Sequence, residues 1–299
     1  MIKQTQTKMF QSSDVGLDFC TGSINVFPDR FKKMLATGFN EKTVNSVAIS
    51  GSTITLTYGV THGYVADRVL QVTASGGFNK EVYIDSVSGN DVVCTVIDGI
   101  TTGLTGTITT KVASLGWTLE YEVGNVHVYK MKHFDDTDMY VRMCFQNNTA
   151  QRNGVSVCIG KTYDNATGFI TDTNSLEHTR NTTTPFATND RDRVVAWNTM
   201  YPGYANATYT SGYSQFGLAI AIVGSPYHLG FSMTERNAHN IFGIFPKATH
   251  NYAVLDYPVL VSQFVSNNSP PNSGNFAKWN SSANAVYVGN IRCSIDFIE

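Results

Sequence analysis

The sequence predicts an all-β protein: a small antiparallel β-barrel or sandwich domain followed by a larger β-sandwich, with an N-terminal arm and one short helix. Composition is the first reason, since the 299 residues include 34 Thr, 25 Asn and 25 Gly. Thr favours strands, whereas Asn and Gly favour turns. Periodicity is the second reason, because short runs of alternating apolar and polar residues recur between turn dipeptides. That alternation is typical of half-buried strands.

Residues 1–40 are predicted to form the arm and the helix. The first 27 residues are polar and contain few core-forming side chains. Phe31, Met34 and Leu35 then repeat at helical spacing, and Gly38 is a typical C-terminal cap. We therefore predict a short amphipathic helix over residues 28–38.

Residues 41–114 are predicted to form the small β domain. The dipeptide Ser50-Gly51 separates two apolar runs and predicts a tight hairpin between them. Six short strands in so short a segment favour a small antiparallel barrel or sandwich. The predicted strands are residues 44–49, 52–58, 69–73, 81–86, 92–97 and 106–111.

Residues 115–299 are predicted to form the larger β-sandwich. Two long polar segments, residues 161–192 and 266–282, interrupt it. Segments of that length without strands are usually functional, disordered or bound to a neighbour. The predicted strands are residues 126–131, 139–145, 155–159, 193–199, 216–223, 228–233, 241–245, 259–265 and 285–291.

Charge and hydropathy exclude several classes of function. Only 15% of the residues are charged and the net charge is −2, whereas soluble domains average about 25% charged residues. A protein that binds nucleic acid through its backbone is usually basic, so we expect no nucleic-acid partner. The longest apolar stretch, residues 216–223, is too short to cross a membrane. Low charge is also typical of surfaces that meet other proteins.

Candidate metal and cofactor sites are weak. The five cysteines lie far apart without a CxxC motif, so we expect buried free thiols in a reducing cytoplasm. Asp135, Asp136 and Asp138 could offer carboxylates to a hard cation such as Ca²⁺. The same residues also suit a turn between two strands, because Asp tolerates turn geometry. No nucleotide-binding motif is present, and we expect no cofactor and no catalytic residues.

Exposed aromatic side chains are the best candidates for contact with a ligand or another protein. Tyr201, Tyr204, Tyr209 and Tyr213 lie in a Gly-rich segment where core packing is less expected. Such rings can anchor a protein interface or stack on the sugars of a glycan.

A series of short motifs runs in order through the first 145 residues. They are Thr37-Gly38-Phe39-Asn40, Lys42-Thr43-Val44-Asn45-Ser46, the hairpin of residues 49–56, Thr61-His62-Gly63-Tyr64, residues 106–111, Leu115-Gly116-Trp117-Thr118, Val128-Tyr129-Lys130 and Tyr140-Val141-Arg142-Met143. This series resembles a family of tailed-bacteriophage virion structural proteins, and residues 218–223 and 228–233 are similar to a strand pair of that family. The chain departs from the family over residues 161–215. The resemblance implies a virion component without enzymatic activity.

Together these features predict a non-enzymatic structural subunit in the tail, baseplate or neck of a phage particle, assembled in the host cytoplasm. Its expected partners are copies of itself, other virion proteins and fibres, reached through the arm and the long loops. Three alternatives stay open. The chain could be a receptor-binding or fibre-attachment protein that recognises host surface glycan, a capsid decoration protein or, as the least favoured alternative, an enzyme that acts on cell-wall or capsular polysaccharide.

Overall fold

Antiparallel sheets dominate the computed structural model of the chain. It describes residues 3–11, 13–17, 26–145, 154–183, 196–198, 220–235, 238–246, 256–261, 286–289 and 291–293. The described residues form strands, one short α-helix and two short helical turns, which confirms the predicted all-β class. The described sheets are open rather than closed, so the sandwich fits and the barrel does not. Within the described part of the chain, no helix is long and apolar enough to cross a membrane.

Nineteen strands lie within the described residues. In chain order they are β1 (Lys8–Gln11), β2 (Phe39–Thr43), β3 (Ser46–Ser50), β4 (Thr53–Thr57), β5 (Val69–Ala74), β6 (Asn79–Ser88), β7 (Asp91–Thr95), β8 (Ile108–Val112), β9 (Thr118–Val123), β10 (Val126–Lys132), β11 (Asp138–Phe145), β12 (Gly154–Gly160), β13 (Ala196–Asn198), β14 (Ile220–Ser225), β15 (His228–Glu235), β16 (Ala238–Phe245), β17 (Val259–Val261), β18 (Val286–Val288) and β19 (Ile291–Cys293). Helix α1 spans Val26–Lys32 and continues as a π-helical turn, Lys33–Thr37, and a 3₁₀ turn spans Glu177–Thr179.

The chain forms two compact units. The first comprises Met1–Asp18, Arg30–Gly116 and Val223–Ser225, and the second comprises Phe19–Asp29, Trp117–Ile222 and Pro226–Glu299. The largest segment of the first unit ends at Gly116, and the largest segment of the second unit begins at Trp117. The sequence predicts a boundary nearby, between residues 114 and 115. Residues 3–11 and 13–17 of the predicted arm belong to the first unit.

A seven-stranded antiparallel sheet builds the first unit, in the order β2-β8-β5-β6-β7-β4-β3. Six of these strands match the six predicted ones, and β2 is an addition. Burial alternates along β4, where Ile54 and Leu56 are fully buried and the three threonines beside them are half-buried. The hairpin turn between β3 and β4 is Gly51-Ser52, one residue later than predicted, because Gly51 adopts φ 60°.

The N-terminal arm packs on its own unit. Phe10 and Leu17 are buried, so the arm contributes to the core, contrary to its polar composition. Asp14 and Arg68 form a buried bidentate ion pair in which both N–O distances are 3.0 Å. Lys8 is also buried, and its Nζ lies 3.0 Å from Oε1 of Glu81 on β6. These pairs hold residues 8–17 against the strands of the same chain.

The predicted helix of residues 28–38 is present but begins two residues earlier. Phe31, Met34 and Leu35 are fully buried, as their helical spacing predicts. Gly38 ends the π-helical turn with φ 73° and donates its N–H to the Lys33 carbonyl at 2.9 Å. A side chain at this position would collide with the Val112 carbonyl, which is why only glycine fits this cap.

The second unit contains a five-stranded sheet in the order β13-β12-β11-β10-β9. In a further sheet β14 to β19 follow one another in chain order, and Val223–Ser225 of β14 are the residues that belong to the first unit. Strand β9 is absent from the prediction, and residues 285–291 contribute to two strands, β18 and β19, rather than one. Val128, Tyr129, Val141 and Met143 are fully buried, so β10 and β11 form the centre of this unit's core.

Candidate functional site

The three candidate metal ligands lie around the turn between β10 and β11. Asp135 accepts hydrogen bonds from the N–H (3.0 Å) and hydroxyl (2.6 Å) of Thr137. Asp136, which has φ 64°, accepts the hydroxyl of Tyr227 at 2.8 Å. Asp138 pairs with Lys132 at 2.5 Å. Each carboxylate therefore has its own partner, and the described residues hold no group of three His, Cys, Asp or Glu side chains arranged for a metal ion.

The candidate aromatic contacts Tyr201, Tyr204, Tyr209 and Tyr213 lie outside the described residues. The polar segment that precedes them begins at residue 161 and is described up to residue 183. Defined hydrogen bonds hold this described part in place. Fully buried Arg142 donates to the carbonyl oxygens of Gly168 (2.9 Å), Thr179 (3.4 Å) and Thr182 (2.5 Å). One side chain of β11 thus fixes three points of the segment.

A polar depression lies on the same segment. Its volume is about 470 Å³, and it is lined by Lys161, Thr162, Thr171, Asp172, Thr173, Asn174 and Tyr257. Asp172 accepts the hydroxyl of Tyr257 and the N–H of Lys161, both at 2.7 Å. Burial acts to raise the pKa of Asp172, but these hydrogen bonds outweigh it and hold the pKa below the ordinary value.

The wall of the depression offers hydrogen bonds rather than an exposed ring. Tyr257 is buried, and the Lys161 ammonium lies 5.1 Å from the centroid of its ring. The Lys161 ammonium also lies 3.7 Å from Asp256, whose other oxygen is 2.9 Å from Nε2 of buried His133. The threonine, asparagine and lysine side chains are exposed to solvent. The depression therefore suits a small polar group better than an aromatic or apolar one.

The Thr61-His62-Gly63-Tyr64 motif has a structural role in the first unit. The His62 ring is buried, and its Nδ1 accepts the N–H of Tyr64 at 3.0 Å. Its Nε2 lies 3.2 Å from the Gly89 carbonyl, so the ring fixes two turns at once. The Tyr64 and Tyr58 hydroxyls both meet the Thr110 hydroxyl, at 2.9 and 2.8 Å, inside the core.

The two edges of the first unit's sheet differ in chemistry. Edge strand β2 carries Glu41 and Lys42, a register shift between Phe39 and Lys42, and Asn40 with φ 55°. Charges, bulges and irregular backbone are the devices by which proteins prevent an edge from pairing with another strand. The β2 edge is therefore protected.

The opposite edge carries no charge, and its irregularity is confined to its start, where the Thr57 carbonyl accepts the N–H of Asn45 at 2.8 Å. Strand β3 reads Ser-Val-Ala-Ile-Ser, and it contains no charge and no proline. Its five residues pair with β4 without a register shift. Ala48 and both serines are exposed, and Ile49 is 47% exposed. Within the described residues, β4 is the only strand beside β3. This open edge is the most distinctive surface of the first unit.

The sequence points to some of these features and misses others. The apolar run of β3 is visible in the sequence, but its place at the edge depends on a strand order that the sequence does not state. Arg142 lies within the apolar run of β11, and this single cation among apolar residues is the available signal for its buried role. No protein-family model, curated protein or solved structure matches the chain.

Proposed function

We propose that the chain is a non-enzymatic structural subunit of a tailed-bacteriophage virion, placed in the tail, baseplate or neck. The observation that carries the proposal is the open edge strand β3, with its uncharged sequence and its exposed Ile49. A free edge of this kind favours pairing with another strand. In an isolated protein such an edge promotes unwanted association, whereas in a structural subunit it can bind a neighbouring subunit.

The low overall charge supports the same role. Charged residues make up 15% of the chain, and surfaces that meet other proteins are depleted of charge at their centres. The motifs that resemble the virion family support it further, because several of them fall on core and turn positions of the first unit and the later ones fall on the buried strands β10 and β11 of the second unit. Residues 49–56 form the β3–β4 hairpin, and His62 and Tyr64 are buried.

The arm has a different part in this proposal from the one that its sequence predicts. Residues 8–17 are engaged by Arg68 and Glu81 of their own unit. The arm therefore stiffens the subunit, and the contacts between subunits use the sheet edge and the long loops.

Immunogold imaging of intact phage particles with an antibody to this chain tests the proposal. We expect label at the tail, baseplate or neck, and mass spectrometry of purified particles should detect the chain at several copies per particle. Label on the head shell would replace the proposal with a capsid decoration role. Particles that lack the chain would overturn the virion role altogether.

A second candidate function, recognition of a host surface glycan, rests on the polar depression. Its volume of about 470 Å³ falls in the range of small-ligand sites, which is about 300–1,000 Å³. Lys161 and Asn174 are exposed at its wall and can offer hydrogen-bond donors to sugar hydroxyls. A glycan array with the wild-type chain and with Lys161→Ala and Asn174→Ala tests this role. Binding that both substitutions reduce would support it, and an array without binding would overturn it.

A further inference from the structure

We propose that β3 pairs with β3 of a second copy of this chain, antiparallel, about a two-fold axis at Ala48. The inference rests on the proposed function, because it names the partner of the edge that the proposal uses. Three features of β3 support it: the direction of its backbone groups, the order of its residues and the character of its side chains.

The backbone of β4 shows which groups face β3. Tyr58, which follows β4, donates its N–H to the Asn90 carbonyl beside β7. Ser52, which precedes β4, accepts the N–H of Val96 on the same side. Even-numbered residues here therefore direct their backbone groups towards β7, and odd-numbered residues direct theirs towards β3, since the direction alternates along a strand.

The register then identifies the outward-facing groups of β3. Thr53, Thr55 and Thr57 oppose Ser50, Ala48 and Ser46. Pairs of this kind exchange the hydrogen bonds of a hairpin, and at the Ser46 end the Thr57 carbonyl also accepts the N–H of Asn45 at 2.8 Å. Val47 and Ile49 lie between them, so their N–H and C=O groups point away from the sheet and have no strand beside them in the described structure.

The order of residues in β3 makes the edge complementary to itself. Antiparallel pairing centred on Ala48 places Ser46 opposite Ser50 of the second copy and Val47 opposite Ile49 of the second copy. Ala48 then faces its own equivalent. Because Val47 and Ile49 carry the outward groups, the two Val–Ile pairs exchange four hydrogen bonds, and the Ala–Ala pair at the axis is a non-hydrogen-bonded pair.

The side chains fit the same arrangement. Val47 and Ile49 share a sheet face with buried Leu56 and Ile54, and the edge leaves Ile49 47% exposed. Pairing with a second copy would extend this apolar face across the axis. The other face presents serine, alanine and threonine, so no like charges meet. A two-fold contact of one surface with itself is also the commonest symmetry of protein dimers.

Charge substitution at the axis tests the proposal. Ala48 is exposed, so Ala48→Lys and Ala48→Glu should leave the subunit folded, which circular dichroism checks. Sedimentation equilibrium should show the wild-type chain forming a dimer at high concentration. Each variant alone should dimerise about fivefold or more weakly, because like charges oppose each other across the strands. An equimolar mixture of the two variants should recover the dimer, since only mixed pairs place opposite charges together.

Thr43→Lys on the other edge strand is the matched control, because Thr43 is exposed on β2. It should leave dimerisation unchanged. If Thr43→Lys and Ala48→Lys both weaken association, the contact joins β3 to β2 of the next copy and the two-fold arrangement is wrong. Dimerisation that neither substitution weakens, or a wild-type chain that stays monomeric at every accessible concentration, would also overturn it.

A cross-link provides an independent measurement. Cα atoms of a non-hydrogen-bonded antiparallel pair are about 4.5 Å apart, within the range that a disulfide spans. Ala48→Cys should therefore give an oxidised dimer on a non-reducing gel, whereas Thr43→Cys should not. These outcomes are separate from those of the particle experiment. A chain found in particles but monomeric in solution would refute the pairing alone, and a dimer absent from particles would refute the virion role alone.

Discussion

Arg142 shows how one residue organises a long polar segment. It is fully buried, and burial lowers the pKa of its guanidinium group. It donates hydrogen bonds to carbonyl oxygens of residues 168–182, and the centroid of the Phe169 ring is 5.6 Å away. A buried cation is costly unless its donors are satisfied. The segment is therefore ordered around the guanidinium, and the guanidinium is tolerated because the segment surrounds it.

We predict that Arg142→Met lowers the free energy of unfolding by about 2–4 kcal/mol, because several hydrogen bonds to a charged group are lost and their carbonyl acceptors stay buried. Urea denaturation measures the loss, and amide hydrogen exchange should accelerate at residues 168–182. Arg180→Met is the matched control. Arg180 is half-buried and donates to the carbonyls of Thr173 and Ser175 within the segment. Its loss should be smaller, and equal effects would contradict the role given to Arg142.

The described cysteines behave as small apolar residues. Cys94, Cys144 and Cys158 are free and buried, as the sequence predicts for thiols without a disulfide framework. Burial raises the pKa of Cys144 to about 11 and raises those of Cys94 and Cys158 above the ordinary value.

We predict that these three thiols react with a chromogenic disulfide reagent only after unfolding. A pKa near 11 for Cys144 leaves about one thiol in a thousand as thiolate at pH 8, and thiolate is the reactive form. The measurement compares the reaction in buffer with the reaction in denaturant and locates the labelled cysteines by peptide mapping. Rapid labelling of Cys94 or Cys144 in the native protein would show that the sheet around it opens.

At the scale of elements, local sequence predicts a strand well where one face is buried. Strand β4 alternates threonine with Ile54 and Leu56, and it forms where the alternation predicts. Strands β2 and β9 escape prediction, because they carry charged residues such as Glu41 and Glu120 and are placed at sheet edges by their neighbours. Their strand structure depends on pairing that no local pattern records.

The sequence likewise predicts only part of the candidate site. The sequence places Asp135, Asp136 and Asp138 together but does not reveal that Asp136 meets Tyr227, which is 91 residues away. The polar segment from residue 161 shows few apolar residues, so nothing local predicts its order. That order comes from contacts distant in sequence, such as the one between Asp172 and Tyr257.

We predict that the segment around Asp172 loosens in acid. Burial alone would raise the pKa of this carboxyl, but hydrogen bonds from Lys161, Tyr257 and Asn174 lower it below the ordinary value of 3.8. The carboxylate therefore contributes stability that is complete above that value and is lost as the pH falls through the lowered pKa. Amide exchange at residues 161–174, compared between neutral pH and pH near the transition, measures the change.

Two variants make the acid effect specific to Asp172. Asp172→Asn should loosen the segment at neutral pH and remove its acid dependence. Tyr257→Phe removes only one donor, so the carboxyl pKa should rise towards the ordinary value while the ring packing is kept. An acid response that persists unchanged in Asp172→Asn would assign it to a different group.

At the scale of the whole molecule, the seven-stranded sheet of the first unit is built from one continuous segment of the chain. All seven strands of its sheet lie between Phe39 and Val112. Leu70, Val72, Val82 and Ile84 in its central strands are fully buried. Phe10 and Leu17 of the arm and Met34 and Leu35 of the helical turn add to this core. A segment of this size lies in the usual range for an independent domain.

We therefore predict that a chain ending at Gly116 folds without the rest of the protein. Its urea transition should be cooperative, and its circular dichroism should be that of a β protein, because the sheet order needs no strand from beyond Val112. Leu70→Ala in this fragment is the control for a packed core, and it should lower the free energy of unfolding by about 2–5 kcal/mol, the usual cost of such a cavity. A fragment without a cooperative transition, or one insensitive to Leu70→Ala, would show that the core is completed by residues after Gly116. A folded fragment would also keep the β3 edge, so its dimerisation in parallel with the full chain would place the contact within the first unit.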